Sequence, residues 1–357
     1  MEIRRIGILT GGGDAPGLNA VIRAVVKAAY GIGAECLGIP DGFDGLLAPG
    51  RAQPLGLRDV AGIHRLGGTI LGTTNLGSPL AAAAEPSARE CLARSLENAR
   101  ALDLGALIVA GGDGTLAIAL QFFRAGLPVV GIPKTIDSDL AGTELTIGFD
   151  SAVSFATDAI DRLHTTADAH HRVMVAEVMG RYAGWIAIHA GLAGGADVVL
   201  IPEIPFDLTR VASHIARRQA AGARCTVVVA TEGAMPIGGT TTVAAAGVGG
   251  RPERLGGVAQ RVAGDLERLT GRDVRFDVLG HLQRGGAPSA CDRVAATRFG
   301  AYAVEVARGG EFGVMVAWRP PDLVTVPLES VVGRAHAVPT TSNLVTTARS
   351  IGICFGD

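Results

Sequence analysis

Residues Arg5–Ala20 read RIGILTGGGDAPGLNA. Arg5–Leu9 is a run of strand length, Gly11 to Gly13 follow it, and a helix begins directly after. A buried strand that feeds a helix through a glycine turn is the repeating unit of an α/β protein. Glycines let the main chain approach a phosphate closely, and the helix start offers free N–H groups and the positive end of its dipole. The dinucleotide pattern G-x-G-x-x-G fails because Pro16 holds the third glycine's place, and G-x-x-x-x-G-K-[ST] occurs nowhere in the chain. A tight strand–helix turn without any ligand explains the same residues, so this loop alone does not decide function.

The alternation continues along the chain. Further strands are expected at Glu35–Ile39, Ala106–Ala110, Pro128–Ile132, Val173–Val178, Val198–Ile201, Thr226–Ala230, Arg275–Leu279 and Val314–Trp318. Helical periodicity lies between most of them. It is clearest at Val153, Ala156, Ile160 and Leu163, behind Asp150 or Ser151 as N-cap, and again at Leu255, Val258, Val262, Leu266 and Leu269. This pattern predicts two Rossmann-like, three-layer α/β lobes with mostly parallel sheets. The expected division is 1–150 plus about 283–330 in one lobe and 151–282 plus 331–357 in the other. Ala234–Glu253, rich in Gly, Thr and Ala, reads as a surface loop or an irregular hairpin without chemistry.

Composition narrows the classes. Of 357 residues, 48% are hydrophobic, enough for sizeable cores, and the net charge is −2, so no global basic field exists for nucleic acid or an anionic membrane. Aromatics at 4% argue against base-stacking platforms. Apolar runs of four to seven residues are far short of the roughly 20 needed to span a bilayer. Five scattered cysteines and an N-terminus that enters a strand directly lead to the expectation of a reduced, cytoplasmic protein.

Ligands of doubly wound folds bind beyond the carboxyl ends of the strands, and the loops there are unusually polar. GGDGT (Gly111–Thr115) sets Asp113 between glycines at a helix start. A divalent cation on a phosphate would compensate that carboxylate, and a plain N-cap role would also explain it. GIPKTIDSDL (Gly131–Leu140) crowds Lys134, Thr135, Asp137 and Asp139 into one turn. One carboxylate can accept a proton from an attacking hydroxyl while the other helps to hold metal, with Lys134 neutralising phosphate charge. Arg172, Arg181, Arg275, Arg284 and His281 lie at strand ends or just beyond, and Glu232 in ATEGA offers an acceptor for a sugar hydroxyl. As a set these residues describe a pocket for a phosphorylated polyol. His170 and His171 lack metal-ligand spacing, and His64, His164, His189 and His336 read as core or surface residues.

GGGDAPGLNA, GGDGT, PKTIDSDL, TIGFDSA, EVMGRYAGW, IPE, TEG and VLGHLQRGG follow one another in the order and spacing of a known family, and over nearly its full length the chain resembles the 6-phosphofructokinases. GGDGT is shared with NAD kinases and diacylglycerol kinases, whereas MGRYAGW together with GHLQRGG is specific. The resemblance implies the phosphofructokinase fold and phosphorylation of fructose 6-phosphate at its 1-hydroxyl. It makes Asp137 the base and lets Thr135 touch the transferring phosphoryl group. Asp113, helped by Asp139, would engage Mg²⁺. Ile136, Met179, Gly180, Arg181, Glu232, His281 and Arg284 would surround the sugar phosphate. Arg172 and Arg275 match residues that reach in from a neighbouring subunit, which implies a homo-oligomer, a tetramer or a dimer. Gly13, Gly111, Gly112, Asp113, Gly114 and Thr115 would line the donor phosphates, with the Phe43 ring beside the nucleotide.

The family divides between ATP and pyrophosphate users. Pyrophosphate users carry an Asp where this chain has Gly114, and a Lys where it has Lys134. The missing carboxylate leaves room for the α-phosphate of ATP, so ATP is the expected donor and pyrophosphate the alternative. A sugar-phosphate sensor without turnover is a second alternative. Ser138 replaces the family's usual Asn, and GTTNLGSP (Gly72–Pro79) lacks an Arg that many bacterial members place there.

Overall fold

The computed structural model describes residues 3–48, 50–74, 86–246 and 253–357. Its strands are β1 (Arg5–Thr10), β2 (Glu35–Ile39), β3 (Gln53–Pro54), β4 (Ala106–Gly111), β5 (Val129–Pro133), β6 (Val173–Val178), β7 (Val198–Leu200), β8 (Thr226–Thr231), β9 (Val243–Ala245), β10 (Arg254–Leu255), β11 (Val274–Val278), β12 (Val314–Arg319) and β13 (Asp322–Pro327). The helices are α1 (Leu18–Gly31), α2 (Pro86–Ala101), α3 (Asp113–Arg124), α4 (Phe149–His170), α5 (Trp185–Ala193), α6 (Leu208–Ala220), α7 (Val258–Thr270), α8 (Ala290–Arg308), α9 (Leu328–Val331) and α10 (Asn343–Ser350).

Strands β4, β5, β6 and β8 are buried along their whole length, as continuous Val/Ile/Leu/Ala runs require when helices cover both faces. The larger sheet runs β13-β12-β5-β4-β1-β2-β3, parallel except for the two edge strands, β13 and β3. One face packs on α1 and α8, the other on α2, α3 and α9. The smaller sheet, β11-β6-β8-β7, is parallel throughout, with α4, α5 and α10 on one face and α6 and α7 on the other. Each fully buried Val, Leu or Ile in these layers contributes about 1.5–3 kcal/mol.

The nine expected strands all appear, with ends displaced by one residue at most of them. β3, β10 and β13 were not expected, and β9 falls in the stretch read as a surface loop or an irregular hairpin: β3, β9 and β10 are only two or three residues long, and β13 is a half-exposed edge strand without a continuous apolar run. The Gly/Thr/Ala-rich stretch holds β9, which pairs antiparallel with β10 just beyond its end, and residues 247–252 lie outside the described residues. No helix among the described residues is long and apolar enough to cross a membrane.

The two sheets are tied at the first turns of α4 and α8. Asp292, fully buried, accepts hydrogen bonds from Gly148 N–H (2.8 Å), Ser151 N–H (2.8 Å) and Ser151 Oγ (2.5 Å). Ser289 caps α8 and its Oγ donates to Asp150 Oδ2 at 2.5 Å. One carboxylate thus fills the donor-rich start of a helix from another helix.

Candidate active site

Strand order reverses between β1 and β4, and the crevice beyond that reversal is where doubly wound sheets take ligands. Gly11–Gly13 and Gly111–Thr115 follow these two strands. Gly11 N–H bonds Ala110 O at 3.0 Å, and a Cβ on Gly11 would stand 2.5 Å from Thr115 Cγ2. Glycine there is what lets Thr115 tuck in. A Cβ on Gly13 would meet Arg284 Nη1 at 2.7 Å, and Lys134 Nζ donates to Gly13 O. Gly114 differs: a Cβ there would meet nothing within 4 Å. The fold does not demand a glycine at that position.

The acidic turn leaves β5 at Pro133. Thr146 Oγ1 donates to Thr135 O (2.8 Å), and Thr135 Oγ1 accepts from Asp137 N–H (3.1 Å). Ser138 takes a left-handed conformation at φ 55°. Lys134, Thr135, Asp137 and Ser138 are all buried, and Asp137 Oδ1 has no protein hydrogen-bond partner. Burial, with Asp139 adding to it, pushes the Asp137 pKa up to about 6 against the pull of Arg284, Arg181 and Lys134. Burial, then Arg284, brings Lys134 down to about 7, opposed by Asp14, Asp137 and Asp139.

The smaller sheet supplies the opposite wall. Met179, after β6, donates its N–H to Gln283 Oε1 at 2.8 Å. Arg181 has φ 51° and donates its N–H to Glu232 Oε1 at 3.2 Å. Burial first, then Asp137, raises Glu232 to about 7. Arg284, in the turn after β11, donates to Asp14 O at 3.1 Å and so reaches across to the glycine loop. Asp137 therefore lies within the fields of Lys134 on its own turn and of Arg181 and Arg284 from the other sheet.

Several expected site residues are placed differently. Arg172 and Arg275 sit at the amino ends of β6 and β11, where both ion-pair with Asp273 (2.7 Å for Arg275). A six-residue strand spans about 20 Å, so within one chain these two are not on the loops that hold Arg181 and Arg284. The Phe43 ring is buried and stacks on Phe122, centroids 4.9 Å apart, so it is part of the core beneath the loops rather than an open surface. The Ile136 side chain is likewise core, leaving only its backbone to the site. Gly180, at φ 142°, takes a backbone form open to glycine, and His281 is exposed beside Arg284. Of the GTTNLGSP loop, 75–79 lie outside the described residues.

Asp113 opens α3, is exposed, and accepts Gly333 N–H on Oδ1 at 2.8 Å. Among the described residues no group of three or more His, Cys, Asp or Glu could hold a metal by itself. That donor set fits Mg²⁺, which takes one or two carboxylates together with phosphate oxygens and water, better than a metal that needs a protein cage.

Gln283, Thr146 and Glu203 also build this region from within the motifs GHLQRGG, TIGFDSA and IPE, although none of the three was given a role there, and so does His336, which read as a core or surface residue. The bonds of Gln283, Glu203 and His336 include partners far away in the chain, 104 positions in the case of Gln283 and Met179. Gln283 could have been flagged as a buried-type position within GHLQRGG.

A crevice at a sheet switch point, floored by glycine turns and walled by cations around one buried carboxylate, defines a doubly wound α/β protein built for phosphorylated ligands. The phosphofructokinase family model matches residues 5–307, and the chain belongs to that family. It is 55% identical to the ATP-dependent 6-phosphofructokinase of Chloroflexus aggregans, over 99% of this chain and 98% of that protein. It is 47% identical to the pyrophosphate–fructose 6-phosphate 1-phosphotransferase of Streptomyces coelicolor, over 99% of this chain and 100% of that one. The crystal structure of Pichia pastoris phosphofructokinase in the T-state superposes with a TM-score of 0.82 at 31% identity, over 98% of this chain; the chain spans 39% of that longer protein.

Proposed function

We propose that the protein transfers the γ-phosphoryl group of ATP to the 1-hydroxyl of fructose 6-phosphate, giving fructose 1,6-bisphosphate and ADP, as a glycolytic kinase of the cytoplasm. The observation that carries the reaction is the buried Asp137 carboxylate, open at Oδ1 and framed by Lys134, Arg181 and Arg284. Phosphoryl transfer demands in-line placement and charge neutralisation more than covalent help. Asp137 takes the proton from the sugar hydroxyl as its oxygen meets phosphorus. A pKa of about 6 leaves it ionised at neutral pH and yet basic enough to hold that proton. Thr135 hydrogen-bonds the moving phosphoryl group. Lys134, brought into its charged form by the arriving anions, spans from Gly13 O toward the donor phosphates. Arg181, Arg284 and His281 bind the sugar phosphate, Glu232 accepts its hydroxyls, and the main chain of Ile136, Met179 and Gly180 shapes its bed. Asp113, with Asp139, would hold Mg²⁺, which when bound neutralises donor phosphate charge.

In this reading 1–150 plus about 283–330 is the donor lobe, and 151–282 plus 331–357 the sugar-phosphate lobe. Arg172 and Arg275 serve the pocket of a neighbouring subunit, so the active form is a homo-oligomer, a tetramer or a dimer. All five cysteines are free, in keeping with a reducing compartment.

ATP is favoured over pyrophosphate by the open space at Gly114. Since the backbone there tolerates a side chain, its absence leaves room for ligand. A coupled assay with fructose 6-phosphate, comparing ATP with pyrophosphate, tests the donor. Gly114→Asp is expected to fold normally and lose at least tenfold in kcat/KM for ATP. Equal ATP use by this variant would remove the steric argument, and no bisphosphate with either donor would favour the sensor alternative.

A further inference from the structure

The segment Gly333–Val338 crosses the site and touches four parts of it. Gly333 N–H bonds Asp113 Oδ1, and Ala335 bridges Leu140. His336 N–H donates to Asp139 O at 2.8 Å, and its Nδ1 lies 3.1 Å from Ser138 O. The His336 ring stacks on Trp185 (centroids 4.8 Å apart, 28° between planes), whose Nε1–H donates to His336 O at 2.8 Å. Val338 N–H donates to Glu203 Oε1 at 2.8 Å, and the same carboxylate holds Gly184 N–H at 3.0 Å. The strap therefore joins the acidic turn of one sheet to the loop Met179–Trp185 of the other.

We propose that His336 is a positioning residue: its Nδ1–H on Ser138 O, with its own main chain anchored by Trp185 Nε1–H, holds the acidic turn in place against the sugar-phosphate loop. The inference rests on that turn being catalytic, as proposed above. A carbonyl oxygen only accepts, so Nδ1 carries the proton in this contact. Ser138 is a non-glycine residue at φ 55°, a conformation that costs on the order of 1–3 kcal/mol and persists only where the surroundings impose it. Asn tolerates that region better than most residues because its side chain bonds locally, and Ser does so less well. The clasp from outside the turn supplies what the Ser138 side chain does not. Asp137 is next in the chain, and with Oδ1 unpartnered its aim depends on the backbone that carries it. A shift of about 1 Å at a reacting group costs on the order of 10²-fold in rate. His336 reaches the acidic turn through the main-chain oxygens of Ser138 and Asp139, so its effect runs through the backbone of that turn.

The test combines backbone hydrogen exchange with steady-state kinetics on the full-length protein, His336→Ala and His336→Asn. Asn keeps an N–H near the position of Nδ1. Exchange in peptides covering 134–142 is expected to quicken at least tenfold in His336→Ala, with β1 and β8 unchanged, and to stay near wild type in His336→Asn. In parallel kcat should fall roughly 10–100-fold in the Ala variant, with both KM values within about threefold, and recover to within about threefold in Asn. Fructose 6-phosphate binding by calorimetry should keep its wild-type stoichiometry, which a fall in folded fraction would not allow. Unchanged exchange in 134–142, acceleration spread evenly over the chain, or an Asn variant as impaired as Ala would overturn the proposal. If Ala does not fold, His336→Asn paired with Trp185→Phe decides: local acceleration in Phe with Asn intact supports the strap, and the reverse overturns it. A wild-type protein without turnover would defeat the functional reading, while the exchange results would still judge the strap.

Discussion

Asp137 is held in a costly, buried state, and the proposed role as proton acceptor gives the reason: a base must be ionised and dry. Its native pKa of about 6 lies above the ordinary 3.8, so the folded protein binds that proton more tightly than the unfolded chain does. The resulting loss of stability is present in full above pH 6 and fades as the pH falls toward 3.8, and it is worth at most about 3 kcal/mol. Asp137→Asn is therefore expected to raise the melting temperature at pH 7.5, with the gain shrinking toward pH 4, and to lower kcat by at least 10³-fold while sugar-phosphate binding persists. Thermal melts across pH, set beside kcat, check both. Because Asp139 is the leading charge that raises this pKa, Asp139→Asn should move the acid limb of the kcat profile to lower pH. A limb that stayed near 6 would show that Asp139 does not act on the proton acceptor. The residue types at 134–139 were legible in the sequence, since cation, hydroxyl and carboxylates stood together in one loop. Their pKa values were not, because those come from burial and from Arg181 and Arg284, which lie about 45 and 150 positions away.

At the scale of elements, the carboxyl ends of β1, β4 and β5 on one sheet and β6, β8 and β11 on the other present the loops of the candidate site. These strands were readable because burial on both faces demands unbroken apolar runs. The strand β13 and the short pairs were not, because half-exposed or two-residue strands leave no such run. The clamp between α4 and α8 was equally hidden: Asp292 and Ser151 are 141 positions apart. Asp292→Ala strips partners from two N–H groups and one hydroxyl in a dry place, at about 1–3 kcal/mol for the worst-placed of them. It should destabilise the protein by roughly 3 kcal/mol in denaturant melts and loosen Gly148 beside Ile136. A change under about 0.5 kcal/mol would mean that water reaches those groups.

At the scale of the molecule, the two lobes meet around one pocket, and Arg172 and Arg275 face away from it on the far end of β6 and β11. If they complete a neighbour's pocket, inactive Asp137→Ala and inactive Arg172→Ala chains, mixed and reassembled, will recover activity, since each hybrid pair contains one complete site. No recovery in assemblies shown to be mixed would place those arginines outside catalysis. The amino-acid sequence alone determined the α/β class, the loops that matter and the family, because those depend on local runs and on spacing along the chain. Only the tertiary structure decided that Phe43 belongs to the core, that Asp113 is tied to Gly333, and that His336 clasps the acidic turn. Each of those outcomes is a contact between segments far apart in the chain, and the direction of a side chain is set by the surface that packs against it.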